Sequence, residues 1–406
     1  MNTDKRNQIF TRCCYGYAVS GMSVLVIGAI LPYIISEAGI SYLAAGGLLS
    51  VMAIGNFLAS FLFPVIVSFI GKKKAIVLIL TSSPICLSLL SFLPALFVMY
   101  VIMLIYGMVR GSITILNNSA VNDVYGNEAP GKLNLLHCSF AVGAFLAPFL
   151  TAVLMKLNLG WRVILYLIIF LLITSVFSYG TMDYSLLNVA AAKSGKEKKN
   201  GAESKEKSFL KSFSFYCIAF LLFFYLGVEN CVNGWFVTYL QSTGVMSAAY
   251  ATAMVSFTWL VIMAGRLICA ALLKKLNQSI MILILALGSA ACFILLISTK
   301  SLPVVTAALL GFGFFLSGIY PTSIANAGPL IQGSTLGMSL LTAISAMGGI
   351  ITPQIVGAAA DHMGIVGAVS ILVVNVVLVI VLAAINFKSH LKTQESKYKR
   401  LRTNTD

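Results

Sequence analysis

One carboxylate, Glu229, stands inside an apolar run of membrane length spanning residues 212–240. It lies in the stretch Tyr225-x-Gly227-x-Glu229-Asn230-x-x-Asn233-Gly234-Trp235-x-x-x-Tyr239. Tyr225, Glu229 and Asn233 recur at every fourth position, which on a helix makes one polar stripe. A charge at the centre of a hydrocarbon layer costs about 2.5–3.5 kcal/mol on insertion scales, so it needs a use. Taking a carboxylate out of water disfavours its charged form, so Glu229 is a candidate proton or cation coupling site, or an acceptor for solute hydroxyls. The bland alternative is a paired anchor joining two helices through Arg110 or another donor.

Two more charges fall at membrane depth. Arg110 has Asn117 and Asn118 seven and eight residues further along, near one helix face. These three are candidate solute-binding residues in the wall of a central cavity, and an inter-helix strut is the competing use. Arg266, in Gly265-Arg266-Leu267, lies closer to a helix end and suits gating or loop anchoring. His137, in Asn134-x-x-His137-x-x-Phe140-x-x-Gly143, is a candidate coupling relay or a satisfied hydrogen-bonding group. Asn233 joins the solute-binding candidates, and Trp235 and Tyr320 could stack on a sugar ring. Trp259 and Tyr239 share that property, although aromatics near helix ends also serve as interface anchors. There is no GxxxxGK[ST] loop and no acidic metal cluster, so neither a cofactor nor an enzyme activity is expected.

The elements that must position these residues follow from composition. The 406 residues are 59% apolar and 10% charged, with a mean hydropathy of +0.96. A soluble domain would carry roughly 25% charged residues. Membrane-length apolar runs are read at 13–35, 42–69, 74–92, 95–121, 133–156 and 161–181, and again at 212–240, 247–273, 279–298, 302–324, 333–359 and 364–387. An all-α membrane protein of twelve spanning helices is expected, arranged as a six-helix half 1–182, a Lys-rich linker 183–211, a second six-helix half 212–390 and a tail 391–406. The halves repeat: Gly107 corresponds to Gly311, and the Gly143–Pro148 pair to Gly348–Pro353, about 205 positions on.

The net charge of +15 does not indicate nucleic acid, because 22 of the 27 Lys and Arg fall in segments that one topology makes cytoplasmic. The opposite loops hold only Lys156, Arg162 and Lys300. This positive-inside bias places both termini in the cytoplasm. The eight cysteines are scattered through apolar runs and read as small packing groups. The apolar run after Arg12 is too long for a signal-peptide core.

Over nearly its full length the chain resembles the major facilitator superfamily. The twelve helices, the repeat and the long central linker carry that resemblance. The family's Gly-x-x-x-Asp-Arg-x-Gly-Arg-Lys loop after helix 2 is degenerate here, with Ser68 and Phe69 in place of the acid and arginine but Gly71, Lys72 and Lys73 retained. Within the superfamily, Asn134-x-x-His137-x-x-Phe140-x-x-Gly143 and Tyr225-x-Gly227-x-Glu229…Trp235 are similar to the fucose permease-like group of fucose–galactose–glucose/proton symporters. The resemblance implies proton-driven uptake of a monosaccharide by alternating access. That group's acidic residues in helices 1 and 4 are missing, so coupling would pass to Glu229.

The expected function is therefore secondary transport of a small polar solute, in a monomer spanning the lipid bilayer of a bacterial plasma membrane. Protons or another cation would drive it. The alternatives are a sugar acid or other organic anion as solute, favoured by two intramembrane arginines against one glutamate, or export of amphipathic compounds. A sensor or scaffold role is disfavoured because no sizeable soluble domain fits in the length.

Overall fold

The computed structural model describes residues 3–125, 129–183, 208–273, 275–331 and 335–403. The expected linker therefore falls largely outside the described residues, at 184–207. All regular structure among the described residues is helical. The first six helices are α1 (Thr3–Ala38), α2 (Tyr42–Ile70), α3 (Lys72–Ser91), α4 (Leu96–Tyr125), α5 (Ala129–Lys156) and α6 (Arg162–Gly180). The next six are α7 (Phe213–Ser242), α8 (Ala248–Leu272), α9 (Gln278–Ser298), α10 in two pieces (Leu302–Leu316 and Ile319–Ala327), α11 (Thr335–Val369) and α12 (Leu372–Thr403). Among the described residues, twelve helical spans are long and apolar enough to cross a membrane, as expected from the apolar runs.

Three boundaries differ from the sequence reading, each for a local reason. Helix α1 begins about ten residues early because its polar first turns have partners. Lys5 pairs with Asp183 at 3.1 Å, Arg12 donates to the Ser178 carbonyl and the Thr181 hydroxyl at 2.9 Å, and Arg6 lies 4.5 Å over the Tyr125 ring. Helix α11 is kinked at Gly364, whose φ of +74° suits a residue without a Cβ, and runs on to Val369, so that α12 starts only at Leu372. Helix α10 is interrupted between Leu316 and Ile319. Pro321 lacks the N–H that would bond the Ser317 carbonyl, which accounts for the interruption.

Contacts divide the chain into two compact units, and they do not follow the linker. Unit 1 holds residues 1–201 with 232–260 and 353–368; unit 2 holds 202–231, 261–352 and 369–406. Within unit 1, α2 lies along α4 and α1 along α5. A Cβ added at Gly143 would collide with the Ala18 carbonyl oxygen, so the backbones of α1 and α5 touch there. In unit 2, Gly348 of α11 meets the Phe223 carbonyl of α7 in the same way. Both partners are displaced by about 205 positions, so the repeat extends to the contact itself.

Unit 1 also contains a closed seam away from the chain termini. Asp361 of α11 accepts from the backbone N–H groups of Tyr42 and Leu43 at 2.7 and 3.0 Å, and so caps the start of α2. Beside it, a Cβ at Gly46 would lie 2.8 Å from the Pro353 carbonyl oxygen, and the Tyr42 and Trp235 rings are 6.1 Å apart. Phe257 of α8 meets Phe145 and Phe149 of α5 edge-on at 5.9 and 6.5 Å. Arg162 forks onto Glu37 at 2.6 and 3.0 Å, and the Trp161 indole donates to the same carboxylate.

Candidate functional site

Two sets of polar side chains stand out, one in each unit. In unit 2, Tyr225 and Glu229 lie one turn apart on α7, and the Tyr225 hydroxyl is within hydrogen-bonding reach of the Glu229 carboxylate. The Tyr225 ring is buried and lies 6.2 Å from that of Tyr320 on α10. Arg266 of α8 brings a positive charge to bear on Tyr225, and Glu229 acts on both tyrosines. The Nε of Arg266 is buried without a hydrogen-bond partner, as are the hydroxyls of Thr322 and Ser323 beside the interruption in α10. Gly265, the neighbour of Arg266, lets α8 approach α10 so closely that a Cβ there would meet the Ser317 hydroxyl.

One carboxylate, one guanidinium and two phenols thus gather where α7, α8 and the broken α10 meet. Protonation of the carboxylate leaves the guanidinium without its counter-charge, and the phenol oxygens stand close by to accept from it. Broken helices that free backbone carbonyls recur at the solute and coupling sites of membrane transporters. The structure brings Glu229, Tyr320 and Arg266 together. It places Arg110 in unit 1, half-buried on α4, with its charge felt by Tyr106.

The second set belongs to unit 1. Asn233 has a buried Oδ1 without a partner. Trp235 is fully buried, and its indole donates to the Pro353 carbonyl at 3.1 Å, so its polar group is consumed by helix packing. Trp259, by contrast, has a buried indole N–H with no partner, and its ring stands 6.2 Å from Phe140 of α5. Phe140 packs on Tyr17 at 5.1 Å, and Tyr17 on His137 at 5.4 Å. His137 is exposed.

Asn117 is fully buried and accepts the Tyr179 hydroxyl at 2.7 Å, while its Nδ2 is unpaired. Its partner Tyr179 belongs to an apolar cluster with Leu116, Ala120, Val121 and Leu136. Asn118 is half-buried with an unpaired Oδ1.

Sequence reasoning passed over Ser256 and Asp361. Ser256 is fully buried and its hydroxyl is unpaired. Asp361 falls between the apolar runs read at 333–359 and 364–387. The signal for it was an acid directly following the helix-forming run Gly357-Ala358-Ala359-Ala360. Among the described residues no group of three or more His, Cys, Asp or Glu could hold a metal ion.

Comparison with known proteins agrees with this architecture. A relative from Mus musculus, sodium-dependent glucose transporter 1A, is 23% identical over 315 residues, which is 68% of this chain and 72% of that protein. The fold is similar to that of the nucleoside transporter NupG, with a TM-score of 0.73 and 14% identity over 96% of this chain and 99% of the other. It is similar to a D-xylose-proton symporter, with a TM-score of 0.71 and 14% identity over 94% and 97% of the two chains. The outward conformation of the transporter FucP gives a TM-score of 0.59 at 17% identity, over 93% and 98%. Residues 13–332 match the family model of the Major Facilitator Superfamily, and the chain belongs to that family.

Proposed function

We propose that this protein is a secondary transporter, not an enzyme, that moves a small neutral polar solute of the monosaccharide class by alternating access. Proton binding at Glu229 is the coupling event. The observation that carries the proposal is the grouping of Glu229 with Tyr225, Tyr320 and Arg266 at the interruption in α10. Protonation of Glu229 releases Arg266 and the phenols from its charge, and their re-pairing biases one conformation over another. The relatives support the solute class, since a glucose transporter, a D-xylose symporter and a nucleoside transporter all carry uncharged, hydroxyl-rich molecules. Both termini lie in the cytoplasm by the distribution of basic residues, and the protein works as a monomer in the cell membrane.

The test is uptake by the purified protein in liposomes. Glu229→Gln is expected to abolish accumulation driven by a pH gradient while leaving counterflow of solute partly intact. Loss of counterflow together with solute binding would make Glu229 a solute ligand instead. Accumulation driven by a sodium gradient alone would transfer the coupling to sodium, as the name of the mouse relative suggests for that protein.

A second reading, transport of a sugar acid, draws on the unpaired Arg266 Nε, because a guanidinium binds a carboxylate through two parallel hydrogen bonds. It predicts that glucuronate, and not glucose, stabilises the purified protein, and that Arg266→Gln removes the effect.

A further inference from the structure

We infer that α8 carries a ring-recognition subsite, formed by Trp259 and Ser256 against Phe140 of α5, which takes a cyclic, uncharged, hydroxyl-bearing solute. The inference rests on the proposed solute class and assigns it a place in unit 1.

Three observations converge. Trp259 is 5% exposed and its indole N–H has no acceptor, although buried polar groups in folded proteins are nearly always paired. Trp235 lies in the same unit and is fully satisfied by the Pro353 carbonyl, so the open donor is particular to Trp259. One turn earlier on α8, the fully buried Ser256 hydroxyl is also unpaired. Its neighbours behave differently: Thr252 donates back to the Ala248 carbonyl and Thr258 to the Met254 carbonyl, both at 2.9 Å. A spacing of three puts the Ser256 hydroxyl and the Trp259 indole on one face of the helix.

The third observation is the surroundings. The Trp259 ring meets Phe140 at 66° between planes, and the aromatic line continues through Tyr17 to His137. Phe140 is half-buried against Trp259 of α8, and His137 meets Tyr17 of α1. A pyranose or furanose ring supplies what the wall lacks. Its C–H face packs on aromatic rings, and its hydroxyls accept from an indole N–H and pair with a serine.

The experiment is calorimetric titration of the purified full-length protein with D-glucose, D-xylose and uridine, followed by monodeoxy analogues of whichever binds. Trp259→Phe keeps the ring against Phe140 and removes only the donor. It is expected to weaken binding by about tenfold, the size of one neutral hydrogen bond. One monodeoxy analogue should bind the wild type equally weakly and lose nothing more in the variant. Ser256→Ala, an independent variant that cannot disturb the aromatic line, should show the same pattern with a different deoxy position. Unchanged affinity in both variants, or an equal further loss for every analogue, makes these residues packing groups and overturns the subsite. No binding of any of the three probes to the wild type overturns the solute class and the subsite with it.

Discussion

At Asn117 the carboxamide and the Tyr179 hydroxyl satisfy each other inside an apolar cluster. Asn117→Ala leaves that phenol unpaired, at a cost of about 1–3 kcal/mol. The expected result is a lower Tm in detergent with an unchanged KM for uptake. A raised KM at unchanged stability would return Asn117 to the solute-binding residues its spacing first suggested. Glu229 is the opposite case, because its neighbours Tyr225, Tyr320 and Arg266 are themselves polar and are not absorbed by packing. Residue type and membrane depth sufficed to single out both Asn117 and Glu229. Which of them is occupied by the fold depends on side chains from other helices, Tyr179 in one case and Arg266 in the other.

At the scale of elements, the cap that Asp361 places on the start of α2 joins two helices that are 319 positions apart at Tyr42 and Asp361. A carboxylate at a helix N-terminus contributes about 0.3–1 kcal/mol when exposed. Asp361→Ala should therefore raise the population in which this seam is open by up to about fivefold. In a variant without native cysteines, labelling of Leu49→Cys, a buried position of α2 against Gly234, would report it: faster modification in the Asp361 variant is expected, and an unchanged rate would show that the seam is held by backbone packing alone. The packing itself is strict. Gly348→Leu should uncouple α11 from α7 through collision with the Phe223 carbonyl and abolish folding or transport. The glycines at these crossings were legible because the repeat displays them twice. For α10, Pro321 marks a missing N–H in the sequence, but the consequence depends on what approaches the freed carbonyl.

For the whole molecule, the basic residues define an orientation that is open to direct test. In a variant without native cysteines, Lys300→Cys should react with an impermeant maleimide added outside intact cells. Lys73→Cys should react only after permeabilisation, and the reverse pattern would invert the topology. The internal repeat has a further reach, since Ala18 and Gly143 correspond to Phe223 and Gly348. Contacts nonetheless group residues 232–260 and 353–368 with the first six helices, so compact units and sequence repeats divide the chain differently.

The amino-acid sequence alone determined twelve spans, a duplicated architecture, an asymmetric charge and one carboxylate at membrane depth. These are properties of local composition, spacing and the cost of moving polar groups into hydrocarbon, and they require no knowledge of neighbours. Tertiary structure alone decided that Trp235 is spent on the Pro353 carbonyl while Trp259 is not, and that Asp361 caps α2. Whether a polar group is satisfied depends on which distant backbone or side chain reaches it, and only the folded arrangement of the helices specifies that partner.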